Sequence, residues 1–144
     1  MGERRTTERE TWAALRSLVL EHYDRRREVS ETLGMSFVRS KALTKLSRRP
    51  MTMRELGGVL AIDAPYTTVV VDDLEARGYV TRSPHPDDRR VKLVTITAEG
   101  KAVAKRADKI LLEPPAVVGE LATDDLAALH RIVGELIARS ESSR

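Results

Sequence analysis

Catalysis or metal binding needs titratable side chains at suitable spacing, and this 144-residue sequence offers few. Its three histidines, His22, His85 and His130, include no pair at a ligand spacing such as His-x-x-x-His. Distant residues of a dimer could still meet at a metal, but nothing local predicts one. Asp72–Asp73 and Asp87–Asp88 are candidate paired carboxylates. Neighbours on a helix point in different directions, and the second pair falls in an exposed loop, so neither suits acid–base work. Cysteine is absent, which excludes disulfides, thiol redox sensing and thiolate metal sites. No GxSxG, phosphate loop or dinucleotide fingerprint occurs. The sequence therefore does not read as an enzyme, and no cofactor is expected.

Arginine and lysine offer a different chemistry, the pairing of cations with phosphates. Net charge is only +3, but it is unevenly placed. Residues 35–92 hold 11 Lys/Arg against 7 Asp/Glu, while the rest of the chain holds 14 against 15. A basic middle is a weak footprint for nucleic acid. With 41% apolar and 33% charged residues, the composition suits one globular domain of modest core. Aromatics are 3%, so that core must be built from Leu, Val, Ile, Ala and Met. No apolar run approaches the roughly 18–20 residues of a membrane span. Met1-Gly2-Glu3-Arg4-Arg5 is followed by no apolar signal core, so a cytoplasmic protein without a membrane partner is expected.

The elements that position these charges can be read from periodicity and punctuation. Thr7 to about Glu31 reads as one long helix, with Trp12, Leu15, Val19, His22 and Tyr23 on a shared face, ended by Leu33-Gly34. Ser36 is placed to cap a second helix, whose buried side is Val38, Ala42, Leu43 and Leu46. Arg48-Arg49-Pro50 stops it. Thr52 and Glu55 have capping-box spacing at the start of a short third helix. Gly57 and Gly58 inside that helix each cost up to about 1 kcal/mol against Ala, which close packing of another helix would explain. Asp63 and Pro65 then suit the N-cap and first turn of a fourth helix, ended by Gly78. Two short helices joined by a tight turn make a helix-turn-helix.

Tyr79–Arg82 and Val91–Ile96 read as strands around the loop Ser83-Pro84-His85-Pro86-Asp87-Asp88-Arg89-Arg90. A strand–loop–strand directly after a helix-turn-helix is a wing, and Pro84 to Val91 is its charged tip. Thr97 caps a fifth helix that Pro114-Pro115 must break or sharply kink. Thr123, with Asp124 and Asp125, opens a sixth, striped by Leu126, Leu129, Ile132, Val133, Leu136 and Ile137. Ser140 to Arg144 should fray. The expected fold class is mainly α with a small β-hairpin (α+β).

Leu74-Glu75-Ala76-Arg77-Gly78-Tyr79-Val80, then Asp88-Arg89-Arg90, then Leu93 through Thr97 with Glu99-Gly100, resemble the MarR family of bacterial transcription regulators. Met35-Ser36 and Ala42-Leu43 through Leu46 also fit, and the resemblance runs from about Thr7 to Arg139. It implies a single MarR-like domain over 1–144. Residues 35–96 would be the winged helix-turn-helix, and 7–34 and 97–140 the helices that interleave in a homodimer. Two recognition helices would enter successive major grooves of a roughly palindromic site. Family members often repress genes and release DNA when a small, often aromatic, molecule enters a pocket between the two regions.

On this reading the fourth helix is the recognition helix. Val70, Val71 and Leu74 are its buried stripe, Thr67 faces partly inward, and Ala64, Tyr66, Thr68, Val69, Asp72 and Asp73 lie opposite. Tyr66 and Thr68 can hydrogen-bond to base edges or phosphates, and the methyls of Ala64, Thr68 and Val69 can meet those of thymine. Many family members carry arginines at the positions of Ala64 and Val69. This helix has no cation before Arg77, which shifts the electrostatic burden to Arg54, Arg82, Arg89 and Arg90. The resemblance gives Asp88 a bracing role against a nearby arginine such as Arg90. Arg89 or Arg90 would then reach the minor groove or the backbone. Thr52 and Arg54 could clamp a phosphate at the third helix's start, although plain capping explains Thr52 as well. The expected DNA-facing set is thus Thr52, Arg54, Ala64, Tyr66, Thr67, Thr68, Val69, Arg82, Asp88, Arg89 and Arg90. Trp12, His22, Tyr23, Met35 and Phe37 are the candidates for an effector pocket, with core or dimer interface as the plainer use of such residues. A competing reading is a winged-helix module turned to protein binding, which the acidic, arginine-poor recognition face would favour.

Overall fold

The computed structural model describes residues 2–143, with side chains from 7 to 143. The leader reading of residues 1–5 and the fraying of Arg144 concern side chains or residues outside that range. Two compact units are resolved, 1–112 and 113–144. In the first, α1 (Gly2–Ser17) runs into a π-helical turn (Leu18–His22), followed by α2 (Arg26–Leu33), α3 (Phe37–Leu46), β1 (Met51–Thr52) and α4 (Met53–Leu60). Then come α5 (Ala64–Ala76), β2 (Val80–Pro84), β3 (Lys92–Ile96) and α6 (Ala98–Leu112). The second unit holds α7 (Ala116–Gly119) and α8 (Thr123–Ser142).

The expected single helix from Thr7 to Glu31 is broken. The Asp24 carboxylate accepts hydrogen bonds from the Arg26 amide (3.0 Å) and guanidinium (2.9 and 2.8 Å). An aspartate that binds the amide two residues on offers the backbone an alternative to the helix, and a new helix starts there. The same contacts, the side-chain hydrogen bond from Arg26 first, lower the Asp24 pKa to about 2. Gly34 ends α2 in the left-handed conformation (φ 64°), as its residue type suggests. At the other end of the chain α8 continues to Ser142, through residues expected to fray.

The core of the first unit is aliphatic, as the shortage of aromatics requires. Leu43 and Leu46 of α3, Leu56 of α4, Val70, Val71 and Leu74 of α5, and Val80 and Val94 of the sheet are fully buried together. Ala104 of α6 closes it. The sheet is antiparallel in the order β1-β3-β2, with Met51 opposite Val94 and Arg82 opposite Val94 on the other side. The two-residue strand β1 carries no alternating pattern and went unread.

Thr97 joins the wing to α6. Its hydroxyl donates to the Gly78 carbonyl (2.7 Å) and accepts from the Gly100 amide (3.1 Å), so it caps the helix as expected. The helix stops at Leu112, ahead of Pro114-Pro115. In α8, Leu126, Leu129, Ile132, Val133, Leu136 and Ile137 are all exposed, and no described residue of that helix is buried.

Candidate nucleic-acid interface

The helix-turn-helix is built by two caps and one glycine. Thr52 Oγ1 accepts the Glu55 amide (3.1 Å) at the start of α4, and Asp63 Oδ1 accepts the Tyr66 amide (2.8 Å) at the start of α5. A side-chain hydrogen bond from Arg49 is the main cause that lowers the Glu55 pKa, with burial opposing it and Thr52 adding a smaller contribution. A Cβ at Gly57 would stand 2.7 Å from Thr67 Oγ1, so close packing of α5 on α4 explains this glycine. It does not explain Gly58, where a Cβ would meet nothing within 4 Å.

That packing corrects the expectation for Thr67. The residue is buried and its hydroxyl donates to the Asp63 carbonyl (2.8 Å), so it is not on the exposed surface of α5. Ala64, Tyr66, Thr68 and Val69 are on that surface. Val69 is the most open of its large apolar side chains, at 52% exposure. The Thr68 hydroxyl donates back to the Ala64 carbonyl (3.2 Å). A cleft of about 540 Å³ between the starts of α4 and α5 is lined by Met53, Arg54, Ala64 and Thr68 among others. Arg54 is exposed at its rim and carries no ion pair among the described residues.

The acids of α5 are neutralised from within. Arg82 of β2, expected to share in phosphate contact, donates to Asp72 (2.6 Å) and Glu75 (3.0 Å), so its guanidinium is engaged with the acids of the helix. Asp73 accepts from Arg39 of α3 (2.7 Å) and from Arg77 (2.9 Å). Arg39 also donates to Ser36 Oγ (2.8 Å), so Ser36 starts α3 without capping it through its side chain. Arg39 was missed in the sequence, because a partner 34 residues away leaves no local signal.

These pairs set the titration. For Glu75, hydrogen bonding to Arg82 is the largest cause and lowers the pKa from 4.5. For Asp73, burial raises it, but hydrogen bonds from Arg77 and Arg39 outweigh burial and leave it below 3.8. A depressed carboxylate contributes stability above its unfolded pKa and loses it as pH falls through the folded value. Arg82→Met should therefore melt below wild type at pH 7, by a small margin because the pairs are partly exposed. The difference should shrink as pH falls below the ordinary Glu75 value of 4.5. Melting curves from pH 7 to pH 3 that keep a constant gap would contradict this.

The wing tip is a braced loop. The His85 amide donates to the Val91 carbonyl (2.8 Å) and the Val91 amide to that of Asp88 (3.0 Å), closing the hairpin. Asp88 accepts the Arg90 amide (3.1 Å) and its guanidinium (3.2 and 3.4 Å). The side-chain bond from Arg90 is the main cause that holds the Asp88 pKa below its ordinary value. Arg89 points to solvent with no hydrogen bond or ion pair among the described residues. The tip thus presents one free guanidinium and one tethered one.

The effector candidates are not gathered into a site. Met35 is buried in the core of the first unit, and Phe37 is half-buried at the start of α3. Trp12, at 68% exposure, His22 and Tyr23 lie on the surface of α1 and the segment that follows it.

Residues 39–92 match the model of the MarR family. The multiple antibiotic resistance protein MarR of Escherichia coli K12 is 28% identical over 89 residues, which are 60% of this chain and 62% of that protein. The chain spans only 41% and 62% of the length of two curated relatives that it matches. Among solved structures, wild-type apo MarR from E. coli superposes with a TM-score of 0.72 at 26% identity, covering 86% of this chain and 94% of that one. A mutant MarR from E. coli, complexed with operator DNA, superposes with a TM-score of 0.59 at 24% identity, covering 88% of this chain and 95% of that one.

Proposed function

We propose that the chain is a MarR-family winged-helix DNA-binding transcription regulator that acts as a homodimeric repressor on a palindromic operator. The observation that carries this reading is the joint presentation of an exposed, uncharged α5 face and an unpaired Arg89 at the wing tip. The first suits a major groove and the second the adjacent minor groove or phosphates. A mutant MarR of E. coli is known in complex with operator DNA, which supports the same use of this fold. The exposed stripe of α8 and the exposed Trp12, Leu18 and Val19 support a second copy as the cover for these helices. A small effector, aromatic in many relatives by the resemblance, would release the DNA. Trp12, His22, Tyr23, Met35 and Phe37 are the residues to mutate in search of its pocket.

The protein-binding alternative rested on the acidity of the recognition helix. Arg39, Arg77 and Arg82 take up that acidity, so the alternative loses its support.

The test is fluorescence anisotropy with a duplex from the region upstream of the protein's own gene, against random duplex, over a range of salt. Specific, salt-dependent binding supports a regulator, and equal affinity for both duplexes counts against one. Arg89→Ala should weaken binding by about tenfold, the worth of one charge-assisted hydrogen bond. It should lower the salt slope by about one unit per wing and leave the melting temperature unchanged. Arg90→Ala should weaken binding too, with part of the loss due to a loosened Asp88 brace. Unchanged affinity in both variants would remove the wing from the interface.

A further inference from the structure

We propose that the recognition helix reads thymine methyl groups, with Val69 as the specificity-determining residue. This rests on the regulator reading above. The chemistry that the face of α5 lacks narrows what it can read.

Guanine is commonly read by an arginine or lysine that bonds O6 and N7. The described surface of α5 has no cation before Arg77, and Arg77 is tied to Asp73. Cytosine is read by a carboxylate that accepts from N4. Asp72, Asp73 and Glu75 are carboxylates, but each is already held by an arginine, Asp72 at 2.6 Å and Asp73 at 2.7 Å. Using them on a base would require breaking those pairs. Adenine read by a bidentate amide needs Asn or Gln, and α5 contains neither.

The remaining chemistry is apolar. Val69 stands out at 52% exposure, a β-branched side chain with one dominant rotamer in a helix. Thr68 directs its hydroxyl back to the Ala64 carbonyl, which occupies its one donor. An exposed valine on a helix otherwise stripped of free charge matches one base-edge feature, the C5 methyl of thymine. Tyr66 can add a hydrogen bond without specifying that methyl.

The experiment begins with duplexes selected by the full-length protein from a random-sequence library. The enriched site is synthesised with thymine and with deoxyuridine, which lacks only the methyl. Each contacted methyl should be worth about fourfold in affinity, the effect of burying one such group. Val69→Ala, at an exposed position, should fold normally. It should lose most of the thymine-over-uracil preference while keeping the wild-type salt slope, because the phosphate contacts are untouched. Two results would overturn the inference and leave the regulator reading standing. One is equal binding of thymine and deoxyuridine duplexes by wild type. The other is a preference that survives Val69→Ala unchanged. If the library yields no enriched sequence, the regulator reading itself fails.

Discussion

Leu136→Asp in α8 is expected to dissociate the proposed dimer and with it nearly all of the proposed specific DNA binding. Leu136 is 51% exposed and Ile137 55%, at the open end of a stripe that reaches back to Leu126. Burying a leucine in a dimer contributes about 2 kcal/mol. A two-fold interface uses each residue twice, so one substitution removes two such contacts and places two carboxylates in an apolar seam. A loss of at least about 4 kcal/mol, or roughly a thousandfold in dimer affinity, follows. Each protomer carries a single winged helix, so separating them leaves each half-site to bind alone. Light scattering and anisotropy on the same sample separate the cases. A dimer that persists at micromolar concentration would remove α8 from the interface. A monomer that still holds the palindrome with wild-type affinity would remove the dimer from the mechanism.

Local chemistry was legible in the sequence where a residue acts on its own neighbours. Asp63 caps the helix it precedes, Gly78 adopts the positive φ (77°) its place after α5 requires, and Asp88 pairs with Arg90 two residues on. Such contacts are written into sequence spacing. Arg82 shows where that legibility ends. Its partners Asp72 and Glu75 lie on the preceding helix, and only the fold of β2 back along α5 brings them within reach. Read locally, Arg82 is a cation available for phosphate and the helix is a repulsive surface. Read in three dimensions, the two cancel. The same holds for Arg39 and Asp73. The break at Asp24 escaped for the opposite reason: it is a local contact, one aspartate that redirects the backbone within a charged run with no helix-breaking residue. The interface is consequently less acidic than its composition, and Arg89 and Arg54 are left as cations without an ion pair among the described residues.

The wing can act only if its base is fixed, and that makes Gly100→Ala a strongly damaging small change. A Cβ there would run into the Tyr79 carbonyl oxygen and lie 2.8 Å from Ile96 Cγ1. The Tyr79 oxygen cannot easily retreat, because it accepts the Thr97 amide at 3.0 Å and belongs to the residue that leads into β2. Alanine's helix propensity would return up to about 1 kcal/mol. The clash costs more, and a net loss of about 3 kcal/mol is expected. For a chain of this size that corresponds to a fall of roughly 10 °C in Tm. Gly58→Ala is the matched control. It lies on the surface of α4 with nothing within 4 Å of its Cβ, and should be neutral or slightly stabilising. A calorimetric scan of both variants decides the matter, and equal Tm values would mean that α6 can slide off the wing at little cost. In that event the wing would not be anchored at its base, and Arg89 would have to find its groove from a mobile hairpin.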